Sequence, residues 1–252
     1  MLNSGWGRSI YQAGQFTVEH RLGRGLSFLL GYTYSKNMDN VGESGTSASI
    51  QDNGCLKCEW SIADLDQTNV VRLSALYQLP FGPHQQFVTH GLLGHLLGGW
   101  DLGATFQYNT GQPLSLTSPV QSASLGSGSP MRPTLVPGES ITQTVINPTT
   151  GEVSSFNPKA FTETGTYAFG NAPRYLSDVR NPALTDLDAS LQRKILIKEN
   201  MFFTFRFESL NALNHVVFGS PDVGVTDTNF GYNPHVQANN PRIAQVSARF
   251  TF

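Results

Sequence analysis

The chain has 252 residues, a formal net charge of −2 and 13% charged residues, about half the charged share of ordinary soluble domains. The slightly negative net charge argues against nucleic acid as a partner, because the composition gives no excess of basic residues. The most apolar runs, residues 26–34 and 92–100, are too short for a membrane-spanning helix, which needs about 18 apolar residues or more. Strands could still cross a membrane, since only alternate residues then meet lipid.

The first part of the chain predicts two strands. Residues 10–22 and 26–35 alternate between apolar and polar side chains, which is the period of a β-strand. Gly23, Arg24 and Gly25 between them predict a tight turn, because glycine tolerates the positive φ that short hairpins need. Residues 36–67 have no period and are rich in Asn, Asp, Gly and Ser, so a long loop follows.

The middle of the chain predicts two further strands. Residues 71–79 alternate until Pro80, which cannot continue a strand ladder, and residues 100–109 alternate after a connection of moderate length. Residues 110–182 are rich in Pro, Gly, Ser and Thr and predict a second long loop.

The last part predicts three more strands, over residues 186–197, 203–208 and 242–252. Arg193 is an exception on an otherwise apolar face. Glu199 and Asn200 form a short turn, residues 211–241 form a third long loop, and the final strand carries a predicted barrel-assembly signal at Phe250 and Phe252. Short and long connections alternate, as they do between the periplasmic turns and extracellular loops of outer-membrane barrels. We therefore predict an all-β fold, an antiparallel transmembrane β-barrel fragment of about seven long strands in the cell outer membrane.

The polar strand faces are the candidate functional surface. A basic residue at the lipid midplane costs about 2–4 kcal/mol, so these side chains are expected to face a wet lumen or one another. They either form a network of ion pairs and hydrogen bonds in the wall that holds a plug, or line a transport path. The predicted lumen-facing residues are Arg72, Asp101, Gln107, Asp186, Asp188, Lys194, Arg206, Glu208, Gln245 and Arg249.

Several short motifs, in their order and spacing, give a family resemblance. They are Leu79–Pro80–Phe81–Gly82, Gly99–Trp100, Thr110–Gly111–Gln112–Pro113, Gly170–Asn171–Ala172–Pro173–Arg174, Asp186–Leu187–Asp188 with Ser190–Leu191, Arg206–Phe207–Glu208 with Asn211, Asn214 and His215, and Pro241–Arg242 with Gln245 and Phe252. From about Gly25 to Phe252 the chain resembles the C-terminal barrel portion of TonB-dependent outer-membrane receptors of the Oar-like type. Leu210 and Asn69 depart from that pattern, which has Phe and often His at these places.

The resemblance implies a 22-stranded barrel with a plugged lumen, of which residues 1–252 would be the C-terminal part without the plug domain or the N-terminal strands. It implies energy-coupled uptake of a nutrient, such as a carbohydrate or another large solute. The implied partners are outer-membrane lipid, the barrel-assembly machinery and, in the full-length protein, the plug domain and TonB. Residues 1–7 match no signal peptide, so either an export signal lies upstream or the barrel interpretation is wrong.

Other candidate chemistry is weak. Cys55 and Cys58 form a CxxC without the βαβ setting of a redox motif or a second pair of metal ligands, so a loop disulfide is favoured over a metal or redox site. The acidic residues of the first loop are expected to be solvated or in loose contact with cations, since an exposed loop cannot shift their pKa values for catalysis. These are Glu43, Asp52, Glu59, Asp64 and Asp66. The histidines lack metal-binding spacing and no serine lies in a GxSxG motif, so no metal, cofactor or enzymatic activity is expected.

Two other functions remain open. The chain could be an outer-membrane structural or adhesive barrel whose loops bind surfaces, or a soluble β-sandwich that binds carbohydrate. A sandwich permits the alternation but does not require alternating loop lengths.

Seven strands cannot close a wide barrel, so both edges of the sheet are expected to be open to pairing with other chains. We predict that the isolated 252-residue chain aggregates or inserts poorly into membranes. Light scattering in the absence of detergent would show this, and a monodisperse monomer would contradict it.

Overall fold

A computed structural model describes residues 7–23, 25–41, 50–52, 54–83, 85–121 and 130–252. In chain order its strands are β1 (Ser9–Gly23), β2 (Leu26–Asp39), β3 (Ser61–Ile62), β4 (Asn69–Gln78), β5 (Trp100–Asn109), β6 (Pro113–Leu114), β7 (Ser118–Gln121), β8 (Pro130–Met131), β9 (Thr134–Leu135), β10 (Phe161–Thr162), β11 (Leu176–Arg180), β12 (Leu184–Lys198), β13 (Met201–Leu210) and β14 (Ile243–Thr251). One α-helix, α1 (Gly91–Leu97), lies between β4 and β5, and a 3-10 turn covers Pro158–Ala160.

Seven long strands form one antiparallel wall in the order β1-β2-β4-β5-β12-β13-β14. Every long strand pairs with its sequence neighbour among the long strands, which confirms the predicted antiparallel arrangement of about seven long strands. The wall is an open sheet with β1 and β14 at its edges. The second strand is longer than predicted, because residues 36–39 continue its pairing with β1.

The register gives the wall two chemically distinct faces. Gly31, Arg72 and Gln107 are direct neighbours on adjacent strands, so they share one face. Tyr32, Val71 and Tyr108, each one residue along, share the opposite face. Because side chains alternate along a strand, this register holds one mostly polar face and one mostly apolar face across all seven strands. We call them the inner face and the outer face.

The connections differ at the two ends of the wall. At one end, two turns separate β1 from β2 and β12 from β13, and α1 lies in the connection from β4 to β5. In the first turn Gly25 has φ +81, as the sequence predicted, while Arg24 lies outside the described residues. The chain also ends at this end of the wall, after β14. The three long loops lie at the other end, which faces the cell exterior in outer-membrane barrels.

The buried apolar residues lie in the long loops rather than in the wall. Leu114, Phe161 and Phe230 are among the members of this core, and the described buried apolar residues all fall outside the seven long strands. We call the described parts of residues 40–68, 110–183 and 211–242 the loop assembly. The short strands β6 to β11 pair within it, so the second loop, expected to be irregular, is folded.

Three aromatic rings form the centre of the loop assembly. Phe156 is fully buried, and its ring packs edge-on against Phe161 at 5.8 Å and against Phe230 at 5.2 Å between ring centroids. Phe230 comes from the third loop, whereas the other two come from the second. The aromatic contact therefore joins two loops that are distant in sequence.

Within the described residues, no helix has the length and apolar character needed to cross a membrane.

Replacing Phe156 with alanine should destabilise the loop assembly by about 3–5 kcal/mol, the usual cost of removing a buried aromatic side chain. The wall should stay intact, because Phe156 does not belong to a strand. Hydrogen exchange of the folded protein would show faster exchange across the second and third loops only. Phe169→Ala, in the same loop but 42% exposed, is the matched control; an equal effect of both variants would contradict the role of the aromatic core.

Candidate functional site

The inner face brings the predicted lumen residues together across adjacent strands. Arg72 on β4 lies opposite Gln107 on β5, and Gln107 lies opposite Asp186 on β12. The Gln107 amide donates a hydrogen bond to the Asp186 carboxylate at 3.3 Å. The Arg72 guanidinium donates to the side chain of Asn109 and to the backbone oxygen of Tyr108 at 3.3 Å. Arg72, Gln107 and Asp186 therefore form a polar row across three strands, and each of them takes part in a hydrogen bond.

A second polar group lies around Glu208 on β13. Its carboxylate forms an ion pair with Arg206 at 2.5 Å and accepts a hydrogen bond from the Gln245 amide at 2.6 Å. Gln245 lies directly opposite Glu208 on β14. Asp188, on the strand at the other side of β13, accepts a hydrogen bond from the backbone N–H of Asn211 at 2.9 Å. Asn211 starts the third loop, so this contact ties the loop to the wall.

The other three predicted residues lie on the same face towards the short-turn end. Asp101 is opposite Gln192, and Arg249 is opposite Thr204. The Lys194 ammonium lies 3.7 Å from the centre of the Phe202 ring, a cation–π contact. All ten residues thus share one face, although they form separate groups rather than one cluster.

The inner face surrounds two cavities. The larger, about 770 Å³, is lined by Glu19 on β1 and by Arg206 and Glu208 on β13, among others. Because strands near both edges of the wall line one cavity, the sheet curves around its inner face. The smaller, about 440 Å³, is lined by Arg72, Gln107 and Asp186 and others. Such a surface can hold water, a polar solute or another polar protein segment.

Arginines from the second loop clamp the first loop. Arg132 pairs with Glu59 through two hydrogen bonds, 2.8 Å and 3.2 Å long. Both side chains are buried, and that of Glu59 is fully so. The Arg132 backbone N–H also donates to the Gln51 side chain at 2.8 Å, whose amide in turn donates to the Gly170 oxygen at 2.9 Å.

Two more arginines fasten the same loops to the rim of the wall. Arg174 forms a buried ion pair with Asp39 at the end of β2 and donates to the Glu59 backbone oxygen at 3.3 Å. Arg180 pairs with Asp66 at 2.8 Å, and the Asp66 carboxylate also accepts from the Asn37 backbone N–H at 2.7 Å. The clamps therefore fix the loop assembly on β2.

These contacts correct the prediction for the acidic first loop. Glu59 and Asp66 are not solvated but buried, at 0% and 1% exposure, and each pairs with an arginine. Asp52 accepts a hydrogen bond from the Gly54 N–H at 2.7 Å, and the partly buried Asp64 accepts one from the Leu65 N–H at 2.9 Å. Glu43 lies outside the described residues.

Sequence reasoning missed the three arginines as site residues. Arg174 was noted only within the motif Gly170–Arg174, and Arg132 and Arg180 carry no local pattern. Two glycines of the quoted motifs allow the close approach that the clamps need. A Cβ atom on Gly170 would lie 1.8 Å from the Arg132 oxygen, and one on Gly111 would lie 1.8 Å from the Asn181 oxygen. Alanine at either position would collide with backbone.

Burial and neighbouring charge shift several pKa values in the loop assembly. Burial lowers the pKa of Arg174 and raises that of Tyr175, whose pKa the Asp64 carboxylate raises further. In the third loop the Asp222 carboxylate raises the pKa of Asp227. Hydrogen bonds from Thr150 and His235 lower the pKa of Glu152. Asp227 itself lies on an exposed turn.

The remaining predicted residues lie at the two ends of the molecule. Cys55 and Cys58 are joined in a disulfide in the first loop. Phe250 and Phe252, at the end of the chain, stack on each other with their ring centroids 6.0 Å apart. Among the described residues, no group of three or more His, Cys, Asp or Glu side chains is placed to hold a metal ion.

The family comparison agrees with this geometry. Residues 2–245 match the family model described as an outer membrane beta barrel domain. The chain belongs to this family. Its outer face is therefore the lipid-facing surface of an outer-membrane barrel, and its inner face is the luminal one. No curated protein and no solved structure gives a significant match to the chain.

Family membership also decides between a membrane barrel and a soluble β-sandwich. The soluble β-sandwich interpretation is wrong, because an outer-membrane barrel domain places the wall in the outer membrane. The apolar side chains on the outer face, which a sandwich would bury against a second sheet, instead meet lipid.

Replacing Glu59 with glutamine should destabilise the loop assembly of this outer-membrane barrel by about 3–5 kcal/mol, since Arg132 would remain buried without its counter-charge. Denaturant-dependent proteolysis of the loops in isolated outer membranes would measure the change. Glu152→Gln is the matched control, because Glu152 pairs with the exposed His235 and exposed pairs contribute little. Equal resistance of Glu59→Gln and the unaltered protein would contradict the clamp.

Proposed function

We propose that the chain is part of the barrel wall of a TonB-dependent outer-membrane receptor of the Oar-like type, which takes up a nutrient such as a carbohydrate or another large solute. The observation that carries this proposal is the inner face. It presents charged and amide groups from the five neighbouring strands β4, β5, β12, β13 and β14, and two cavities lie against it. A wall of this kind needs a wet lumen or a polar protein domain against it, because unpaired charges are costly in an apolar setting.

The open edges support a barrel much wider than seven strands. Among the described residues, neither β1 nor β14 has a partner strand on its outer edge, and unpaired strand edges inside a bilayer are not tolerated. In a receptor with 22 strands the missing neighbours would come from the rest of the barrel and the lumen would hold a plug. In this proposal the plug domain and TonB are partners of the full-length protein, and the barrel-assembly machinery recognises the end of β14.

The loop assembly suits the capture of a solute at the cell surface. It has its own apolar core, and three of its arginines pair with carboxylates of the first loop or of β2, so its surface is already ordered before a ligand arrives. An ordered binding surface loses less conformational entropy on binding than flexible loops do.

A second candidate function is a structural or adhesive barrel whose loop assembly contacts surfaces or polysaccharide. The size and order of the loop assembly favour it equally. The two functions differ at the inner face, because only the receptor fills it with a plug. Neither function assigns a catalytic role to the inner-face carboxylates.

The plug can be tested with a photo-crosslinking amino acid at Thr105, on the inner face, in the full-length protein of living cells. A receptor should give an intramolecular crosslink from position 105 to a segment outside the barrel wall, identified by proteolysis and mass spectrometry. Ala104, the adjacent outer-face residue on the same strand, is the matched control and should give none.

Loss of the crosslinked species after deletion of the plug segment, together with growth that depends on TonB, would complete the support for a receptor. Absence of any crosslink from position 105 with the protein correctly inserted would favour the adhesive barrel and sink the receptor proposal.

A further inference from the structure

The helix at the short-turn end of the wall exposes almost all of its apolar side chains. Leu92, Leu93, Leu96 and Leu97 are exposed by between 46% and 76%, and α1 contains no acidic residue and one histidine. Residues four apart lie on one side of a helix, so the leucines form two adjacent stripes. We propose that α1 is an interfacial anchor whose leucines lie among the acyl chains of the periplasmic leaflet of the outer membrane.

The helix is fixed to the barrel rather than free. Gly82, with φ +105, lies against Gly98 so closely that a Cβ atom on Gly82 would be 2.5 Å from the Gly98 Cα. A Cβ atom on Gly94 would be 2.6 Å from the Val88 oxygen. These approaches lock α1 against the turn that follows β4. Its exposed leucines are therefore held in place, although seven residues would not form a stable helix alone.

Arg193 joins the helix to the lipid-facing surface. This residue interrupts the apolar alternation of β12, and its guanidinium donates to the backbone oxygens of His95 and Leu96, the latter at 2.8 Å. A positive charge that satisfies the last carbonyls of a helix also complements the helix dipole. Arg193 thus interrupts the apolar pattern of β12 because it caps the C-terminal end of α1.

Two aromatic residues continue this contact along the outer face. Trp100 and Phe205 are the direct strand neighbours of Arg193 on either side. The Trp100 indole donates to the Leu96 oxygen at 3.1 Å, and its ring packs edge-on against Phe205 at 6.0 Å. Tryptophan at strand ends is typical of the interface between lipid and water. The helix is therefore attached to the row of outer-face residues that marks the edge of the bilayer.

This continuity identifies lipid as the occupant. An exposed apolar stripe needs a partner, and the surface that α1 extends is the lipid-facing one. A second copy of the chain is a poorer fit, since four leucine side chains cannot supply the roughly 1,000 Å² that a stable interface between proteins buries. Apolar helices that lie in the membrane surface plane bind by burying such stripes.

The test places an environment-sensitive nitrobenzoxadiazole label on Leu93→Cys in the full-length protein in isolated outer membranes, without reductant, so that the native disulfide stays closed. The control is Ile146→Cys in the loop assembly, because Leu93 and Ile146 are 63% and 65% exposed. Doxyl-labelled stearate should quench the label at position 93 several-fold more than at position 146. Aqueous iodide should show the reverse order, and emission at position 93 should be shifted to the blue.

Quenching by iodide at both positions alike, with no effect of the doxyl lipid at position 93, would overturn the proposal. Self-quenching at position 93 that grows with protein density would point to a second copy of the chain and would overturn it as well. Arg193→Gln should lessen doxyl quenching at position 93, because the helix loses its attachment to the wall. Arg249→Gln, on the inner face, should leave that quenching unchanged.

Discussion

The structure depends on one constraint, which is that each long strand separates two different environments. Lipid meets the outer face and water or polar protein meets the inner face, so a single layer of strands has no apolar interior of its own. This explains why the described buried apolar residues lie outside the wall. The wall is held instead by its backbone ladders, and a bilayer makes these obligatory because it offers no other partner for a backbone N–H or C=O.

The apolar core that a soluble domain would place under its sheet is found in the loop assembly. Two kinds of contact order the loop assembly, and each kind joins a different pair of loops. The aromatic contact of Phe156 and Phe230 joins the second and third loops, whereas buried arginine–carboxylate pairs join the second loop to the first. Buried ion pairs add little stability over apolar packing, but their geometry is demanding. Here they fix which segments meet, and Gly170 allows the backbones to come close enough.

Period-2 alternation was enough to predict the wall, because a residue's face in a strand follows from its position alone. The same rule placed Arg72 and Glu208 on one face without knowledge of their partners. It could not predict the loop assembly, because the pairing of Glu59 with Arg132 spans 73 residues and leaves no local periodicity. Nor did it predict α1: its seven residues, four of them leucine, are too few to show a helical period, and close glycine contacts hold the helix in place.

Contacts between the loop assembly and the wall also fix the position of one relative to the other. Asp39 belongs to β2 and Asp188 to β12, and each accepts a hydrogen bond from the loop assembly, from Arg174 and from the Asn211 backbone respectively. The loop assembly is thus attached to the wall at well-separated strands of one sheet. A flexible tether at a single strand would let the loops move independently of the lumen. Attachment at two separate strands instead holds the loop assembly in one position on the wall, so a solute bound by the loops would be held at the loop end of the polar inner face.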